Sequence, residues 1–305
     1  MFQRLALIGC GLMGGSFALA MKQAGLVKRV AGYSKSASTT AKALRLGVID
    51  EEAGSAAAAA TGADLVLLAI PVAATEAALR SIKDLAGPGT LIMDVGSTKQ
   101  DVVQAARAGL GERFGCFVPA HPIAGKEVSG VEHAEAGLYA GQQVVLTPTE
   151  QTQAAQLRAA EALWQALGCQ VCSMSPEAHD SALAASSHAP HLVAMAYMNS
   201  IVGQADGQRL LSLAGPGFRD FTRIAAADTA MWRDIFLANR GEVLKQIHQL
   251  QRMLGEYEAA LLSGQPQRLE GLIDQARDAR SQWRPQWLPQ SRPGKIHAST
   301  GSEPA

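Results

Sequence analysis

The chain has 305 residues, 27 basic and 27 acidic side chains, and 48% hydrophobic residues. This length predicts two domains of ordinary size, each with enough apolar content for a core. A formal net charge of zero argues against nucleic acid or a membrane surface as a partner, and no apolar run is long enough to predict a transmembrane helix.

The first predicted element is a short apolar strand at residues 5–8, followed at once by a glycine-rich turn and a helix. Gly9, Gly11 and Gly14 have the spacing G-x-G-x-x-G in this turn. In dinucleotide-binding folds these glycines permit the tight turn, the approach of the phosphates and close packing of helix on strand. The helix N-terminus attracts the pyrophosphate. The sequence therefore predicts a dinucleotide site here.

Strands and helices then alternate through the first half of the chain. The predicted strands lie at 29–33, 64–70, 90–95, 116–119, 143–147 and 170–172, and the predicted helices at 38–46, 75–85, 100–110 and 151–167. This alternation predicts a parallel sheet with helices on both faces, whose ligands bind at the carboxyl ends of the strands. Ser34, Ile70, Ser97 and His121 all follow strands and are expected at that edge.

From residue 175 onward the pattern is helical, and Ser175 followed by Pro176 is typical of a helix start. The fold class predicted is α/β: a Rossmann domain over residues 1–173, followed by an all-helical domain over residues 174–285. Residues 286–305 are rich in Pro, Ser and Gly and are predicted to be a disordered tail.

No metal site is expected. Cys169 and Cys172 form a C-x-x-C without a second pair, and we interpret the four cysteines as buried thiols of a cytoplasmic protein. His188 and His191 are three residues apart and share a face if helical. Without an H-E-x-x-H motif, contact with a substrate or a structural role is favoured over metal binding.

Two polar residues after neighbouring strands are candidates for chemistry. His121 follows a predicted strand in H-P-I-A-G and is placed for proton transfer beside a nicotinamide site, or it is satisfied locally by backbone groups. The Ser97 hydroxyl can bond His121 or a substrate oxygen, cap the following helix, or do both. Farther along, Asp220 and Arg223 lie in an apolar stretch, which favours either an anion site or an internal Arg–Asp pair.

Taken together, the motifs resemble those of one family. They are G-x-G-x-x-G at the start, D-V-G-S-T-K at 94–99, H-P-I-A-G-K-E-x-S-G at 121–130, H-D at 179–180, S-H-x-P-H at 187–191, and F-R-D-F-T-R-I-A with M-W-R-D-I within 218–235. In this order they resemble the prephenate and arogenate (cyclohexadienyl) dehydrogenases of tyrosine biosynthesis, over residues 1 to about 285. The resemblance implies oxidative decarboxylation of prephenate, arogenate or both, and a homodimer formed through the helical domain.

The resemblance also implies roles for particular residues. His121 matches the catalytic histidine that hydrogen-bonds the substrate's ring hydroxyl, and Ser97 matches the serine that supports it. Arg223 matches the arginine that holds a substrate carboxylate, with Asp220 beside it. His188 and His191 match histidines that line the substrate pocket.

The end of the second predicted strand indicates which cofactor is used. An NAD-binding fold usually has an acidic residue there, which bonds the ribose 2′-hydroxyl. Here the strand ends in Tyr33, Ser34, Lys35 and Ser36, without a carboxylate. Hydroxyls and a cation, with Thr39 or Thr40 at the next helix start, predict a preference for NADP, with NAD as the alternative. The predicted cofactor-binding residues are Gly9, Gly11, Leu12, Met13, Gly14, Ser34, Lys35, Ser36, Thr39 and Ile70.

Two other functions fit part of the pattern. A β-hydroxyacid dehydrogenase would share the glycine-rich start, but that family needs a catalytic lysine, and residues 175–215 contain none. A non-catalytic dinucleotide sensor is the other alternative. The sequence does not distinguish prephenate from arogenate, and it leaves tyrosine feedback open.

Overall fold

The first half of the chain forms a six-stranded parallel sheet with helices on both faces. The computed structural model describes residues 1–85, 87, 89–126 and 128–284, so the tail predicted at 286–305 lies outside the described residues. The strands are β1 (Phe2–Ile8), β2 (Val27–Tyr33), β3 (Glu51–Glu52), β4 (Leu65–Leu68), β5 (Leu91–Asp94) and β6 (Phe117–Val118), in the order β3-β2-β1-β4-β5-β6. The helices among them are α1 (Leu12–Gln23), α2 (Ala37–Arg45), α3 (Ala56–Ala60), α4 (Thr75–Ile82) and α5 (Gln100–Leu110).

This sheet is buried on both faces, as its nearly continuous apolar strands predict. Alternate residues of β1 point into two separate cores: Leu7 packs in one with Phe17 of α1, and Ile8 packs in the other with Leu79 of α4. The Rossmann-type first half is therefore confirmed. The sequence analysis missed β3, because a strand of two glutamates has no apolar pattern.

A second sheet corrects the expectation that all predicted strands join one parallel sheet. Strands β7 (Ala120–Pro122), β8 (Gln143–Leu146) and β9 (Gln170–Ser173) form a separate three-stranded sheet, in which β7 runs antiparallel to β8. His121 consequently lies within β7, opposite Val145, and not in a loop after the last parallel strand. Helix α6 (Ala154–Ala166) connects β8 to β9 and buries Trp164 against Phe17.

The rest of the described chain is helical, as predicted. Ser175 caps its first helix, accepting a hydrogen bond from the Ala178 N–H at 3.1 Å. The helices are α7 (Pro176–Leu183), α8 (Ala189–Val202), α9 (Gly207–Ser212), α10 (Pro216–Thr222), α11 (Thr229–Ala238), α12 (Arg240–Ser263) and α13 (Pro266–Gln282). None of the helices in the described chain combines the length and the apolar character that crossing a bilayer requires.

Candidate dinucleotide and catalytic site

The glycine turn has the shape of a phosphate cradle. Gly9 has φ +102°, and a Cβ atom there would lie 2.1 Å from the Ala69 carbonyl oxygen. A Cβ on Gly14 would lie 2.1 Å from the Gly9 carbonyl, whereas one on Gly11 would meet nothing within 4 Å. Gly11 begins α1 without a side-chain cap, so the first N–H groups of the helix remain available to an anion. These residues fit a dinucleotide pyrophosphate.

Three hydrogen bonds hold this turn in place. The Gly9 N–H donates to the Tyr33 carbonyl and the Cys10 N–H to Ser34 Oγ, both at 2.8 Å. Tyr139 donates its hydroxyl to the Met13 carbonyl at 2.7 Å. These bonds join the end of β2 to the glycine turn, and Ser34 Oγ is the acceptor that ties the two together.

The loop after β2 presents mixed charge to the ribose end of the site. Lys35 and Ser36 are exposed, and Thr39 is half-buried on α2. Glu52 ends β3, next to β2, and the sequence analysis did not foresee it there. Burial raises the pKa of the Cys10 thiol, Ser34 opposes that rise, and the Glu52 charge adds to it, so the carboxylate acts on the glycine turn.

A chain of three buried side chains ends at His121. His121 Nδ1 is 2.8 Å from His179 Nε2, and His179 Nδ1 is 2.8 Å from Asp180 Oδ1. The two histidines therefore connect a strand of the second sheet to the first helix of the helical half. We name the set His121, His179 and Asp180 the histidine relay.

The relay dictates which nitrogen of His121 carries a proton. An ionised Asp180 only accepts, so His179 donates from Nδ1 and, when neutral, offers a lone pair at Nε2. His121 must then donate from Nδ1, which leaves its Nε2 as a lone-pair acceptor. This tautomer is the form that a general base needs.

Electrostatics keep both ends of the relay in these states. Burial lowers the pKa of His121 well below its ordinary value, and the nearby His179, Lys99 and His188 lower it further. Burial alone would raise the pKa of Asp180, but hydrogen bonds from His179 and from the Gln100 and Lys99 N–H groups outweigh it and lower the pKa. His121 is therefore neutral and Asp180 is ionised near pH 7.

Asp180 also caps a helix of the first domain, a role that the sequence analysis considered for Ser97. Its two carboxylate oxygens accept the Lys99 and Gln100 N–H groups at 2.8 and 2.9 Å, where α5 begins. The N-cap residue of α5 itself forms no capping hydrogen bond with its side chain. Ser97 is half-buried, and among the described residues no hydrogen bond joins it to His121, one of the partners considered for its hydroxyl.

His188 and His191 lie on either side of a change in helical geometry. A π-helical turn, Ala184–His188, precedes α8 and turns His188 inward, where Asn239 Nδ2 lies 3.1 Å from its Nδ1. Burial lowers the pKa of His188 to about 4. Both rings contact Trp232: His191 stacks on it at 3.7 Å between centroids, and His188 meets it edge-on at 6.1 Å.

A cleft of about 690 Å³ opens beside Trp232 between α8 and α11. Its wall includes the 3-10 turn Arg223–Ala226, through Ala225 and Ala226. Arg223 is exposed in this protomer, and Asp220 pairs with Arg219 at 3.1 Å on the surface. The Arg219–Asp220 pair is therefore a surface pair and not an internal one.

The sequence analysis assigned no role to several residues that build this site. His179 and Asp180, and Trp232 in M-W-R-D-I, were noted only as parts of motifs, without a function. Adjacent titratable residues in a helix that begins at a domain boundary were the available signal. Lys99 belongs to the D-V-G-S-T-K motif, but nothing in the sequence predicted its burial, because a lysine ordinarily indicates surface.

The thiols of Cys169 and Cys172 have different partners. Cys169 donates to the Tyr139 carbonyl at 3.4 Å, and Cys172 accepts from Gln143 Nε2 at 3.3 Å. Within the residues that the structure describes, no group of three His, Cys, Asp or Glu side chains gathers as metal ligands would.

Comparison with known families and proteins agrees with this geometry. Residues 17–173 match the family model described as prephenate dehydrogenase, nucleotide-binding domain, and residues 175–275 match prephenate dehydrogenase, dimerization domain. A prephenate dehydrogenase of Bacillus subtilis is 39% identical over 245 residues, covering 79% of this chain. The match spans 65% of that relative's length.

Two solved structures are similar over nearly their whole length. The prephenate dehydrogenase of A. aeolicus, crystallised with hydroxyphenyl propionate and NAD+, is 34% identical, with a TM-score of 0.86 over 92% of this chain and 98% of that one. The arogenate dehydrogenase of Synechocystis is 27% identical, with a TM-score of 0.79 over 92% and 99%.

Proposed function

The chain belongs to the prephenate dehydrogenase family, and from that premise we propose that it catalyses the NAD(P)-dependent oxidative decarboxylation of prephenate, arogenate or both. The products are 4-hydroxyphenylpyruvate and tyrosine, respectively. The observation that supports this most directly is the histidine relay, which leaves His121 Nε2 as a buried proton acceptor. Neither a β-hydroxyacid dehydrogenase nor a dinucleotide sensor requires that arrangement.

The chain's own residues supply orientation and a proton acceptor. The dinucleotide, when bound at the glycine turn, supplies the acceptor for hydride. His121 Nε2 accepts the proton of the ring hydroxyl as the carbinol carbon becomes a ketone. The ring carboxylate then departs as carbon dioxide, and the gain of aromaticity makes the reaction effectively irreversible.

The remaining site residues hold the substrate. Arg223 is proposed to bind a substrate carboxylate, with Asp220 nearby, and His188 and His191 to line the ring pocket beside Trp232. Ser97 is proposed to bond a substrate oxygen, because its hydroxyl has no bond to His121. Such contacts lower the barrier by holding the carbinol in a reactive orientation.

For the cofactor we propose a preference for NADP over NAD. The support is Lys35 with the Ser34 and Ser36 hydroxyls at the end of β2 and Thr39 at the start of α2. Glu52 weighs against a large preference, because a carboxylate repels a 2′-phosphate. The A. aeolicus relative was solved with NAD+, so the two cofactors must be compared directly.

The decisive experiment is a steady-state grid of prephenate and arogenate against NADP and NAD. We expect turnover with at least one substrate and a higher kcat/KM with NADP. Absence of cofactor reduction with both substrates, while the dinucleotide still binds, would leave the sensor as the better reading. A higher kcat/KM with NAD would reject only the cofactor preference.

A further inference from the structure

A buried ion pair lies next to His121, and the proposed mechanism does not use it. Lys99 and Asp94 are both buried, and Lys99 Nζ lies 2.5 Å from Asp94 Oδ2 and 2.8 Å from the Ala120 carbonyl oxygen. Asp94 Oδ1 in turn accepts the Ala120 N–H at 3.0 Å. The backbone N–H and C=O of Ala120, the residue before His121, are therefore both hydrogen-bonded to this ion pair.

The sheet geometry explains why Ala120 needs side-chain partners. Strand β7 is at the edge of its sheet. On either side of it, the Thr147 N–H donates to the Pro119 carbonyl and the Ile123 N–H donates to the Gln143 carbonyl, both toward the β8 side. The N–H and C=O of Ala120 point the other way, because successive residues of a strand face alternate neighbours. Since Ala120 is fully buried, these groups would be unsatisfied without the pair. Asp94 and Lys99 thus supply the hydrogen bonds that a neighbouring strand would otherwise make to Ala120.

Lys99 also holds the other end of the histidine relay. Its backbone N–H donates to Asp180 Oδ1 at 2.8 Å, and this is the oxygen that His179 Nδ1 approaches. The side chain of Lys99 thus fixes the backbone next to His121, while its main chain fixes the carboxylate at the far end of the relay. Asp94, Lys99, Asp180, His179, His121 and Ala120 form a closed ring of contacts.

We propose that Lys99 and Asp94 are positioning residues for catalysis, which clamp Ala120 and so aim His121 Nε2 at the substrate hydroxyl. This inference rests on the proposed role of His121 as the proton acceptor. A merely structural pair would contribute to folding and leave turnover per folded molecule unchanged. A misplacement of about 1 Å in a positioned base costs roughly 10²-fold in rate.

The charge of Lys99 has a second, separable effect. The charged and titratable groups around His121 are His179 and Asp180 from α7, His188 from the π-helical turn, and Lys99 with Asp94 from the end of β5 and the turn before α5. Lys99 is one of the cations that lower the pKa of His121. Removing it should therefore move the acid limb of the kcat/KM profile to higher pH.

The test uses Lys99→Met, the double variant Asp94→Leu with Lys99→Met, and a matched control. The double variant removes both charges, so neither is left buried without its partner, and it takes away both bonds to the Ala120 backbone. Lys22→Met is the control, because Lys22 bonds Asp50 Oδ1 at 2.6 Å and the Gly47 carbonyl at 2.9 Å, while Asp50 accepts the Val30 N–H at 2.7 Å. Like the Lys99–Asp94 pair, this pair bonds backbone groups, but it is partly exposed and makes none of the relay's hydrogen bonds.

We expect kcat to fall roughly 10²-fold in both Lys99 variants, with cofactor Kd within about threefold of wild type and Lys22→Met close to wild type. In Lys99→Met the acid limb should move to higher pH. A folded double variant with kcat within about threefold of wild type, or an equal loss in Lys22→Met, would overturn the proposal.

Amide hydrogen exchange at Ala120 covers the case in which the Lys99 variants do not fold. In the wild type this amide should exchange as slowly as the neighbouring β-ladder amides, and exchange at the rate of an exposed amide would contradict the clamp. If the wild type turns over neither substrate, the proposed function fails and the clamp is judged separately. Faster Ala120 exchange in Lys99→Met then supports the clamp, and unchanged exchange rejects it.

Discussion

At the scale of single residues, the site depends on keeping one imidazole neutral and in one tautomer. Burial lowers the pKa of His121, and the nearby His179, Lys99 and His188 lower it further. Asp180, ionised at a helix start, sets the direction of every proton in the relay. A neutral histidine with a free Nε2 lone pair at pH 7 follows from these contacts, without any special property of His121 itself.

The first prediction concerns the replacement of His121, the proposed proton acceptor. His121→Asn keeps a polar side chain of similar size in β7 but has no imidazole to accept a proton, so kcat should fall roughly 10²- to 10⁴-fold with little change in cofactor affinity. Stopped-flow reduction of the cofactor measures the step directly. His133→Asn, at an exposed histidine, is the control and should be active. Near-normal turnover by folded His121→Asn would end the assignment.

The second prediction concerns pH. The active form of His121 is the neutral imidazole, and its pKa in the folded protein lies below the ordinary 6.5. The base therefore stays deprotonated as pH falls through 6.5 and is lost only below that value. A profile of kcat/KM against pH should show its acid limb below pH 6.5. An acid limb at or above 6.5 would contradict the electrostatic description of the site.

The third prediction tests the substrate anion. Arg223→Ala should raise KM for the substrate, because a charge-assisted hydrogen bond to a carboxylate is worth about 1.5–3 kcal/mol, or roughly 10- to 150-fold. The loss should fall on KM more than on kcat if the contact is equal in the ground and transition states. Arg219→Ala, at the exposed arginine paired with Asp220, is the matched control. An unchanged KM in Arg223→Ala would assign Arg223 a structural role.

At the scale of elements, short irregular pieces place the chemistry. The two-residue strand β3 brings Glu52 to the ribose end of the site, and the three-residue strand β7 carries His121. The π-helical turn Ala184–His188 rotates His188 toward Asn239 before α8 resumes regular geometry. Such turns inside helices are often found at functional sites.

The fourth prediction belongs to the loop between β2 and α2. Lys35→Ala should weaken NADP by about tenfold and NAD much less, because a lysine contact to a phosphate is charge-assisted but lacks the fork of an arginine. Glu52→Gln should favour NADP further by removing a nearby negative charge. The measurement is Kd for both cofactors. Lys28→Ala, at an exposed lysine near the start of β2, is the control and should change neither Kd. Equal losses of NADP and NAD affinity in Lys35→Ala would disprove the contact.

At the scale of the whole molecule, the helical half leaves large apolar side chains in solvent. Leu213, Leu237, Leu254, Leu261 and Leu262 are each more than half exposed in the protomer, at 79%, 63%, 58%, 66% and 82%. Contiguous exposed apolar patches mark association surfaces, so these leucines are candidates for such a surface. The match of residues 175–275 to a dimerization domain gives the same indication.

The fifth prediction is the oligomeric state. A homodimer should form in dilute solution, with a mass by light scattering of about twice the 31.9 kDa of one chain. Burial of exposed leucines at roughly 25 cal/mol per Å² favours association strongly over the area of an ordinary interface. The same sample diluted to low micromolar concentration should keep that mass. A monomer mass at micromolar concentration would refute the dimer.

The sequence by itself determined the elements whose signals are local. Gly9, Gly11 and Gly14 could be interpreted without a structure, because the turn and the helix start that together form a phosphate site lie within six residues. The apolar strands of the parallel sheet, the serine cap at Ser175 and the helical second half depend likewise on neighbours close in sequence, and each was predicted. The motif set identified the family for the same reason.

Only the tertiary structure decided how the candidate site is assembled. His121 and His179 are 58 residues apart, and Lys99 and Asp180 are 81 apart, so no spacing rule brings them together. The separate second sheet, the burial of Lys99 and the capping of α5 by Asp180 depend on contacts between parts of the chain that are far apart in sequence. Protonation states depend on burial and on charges from several elements, and those quantities exist only once the chain has folded.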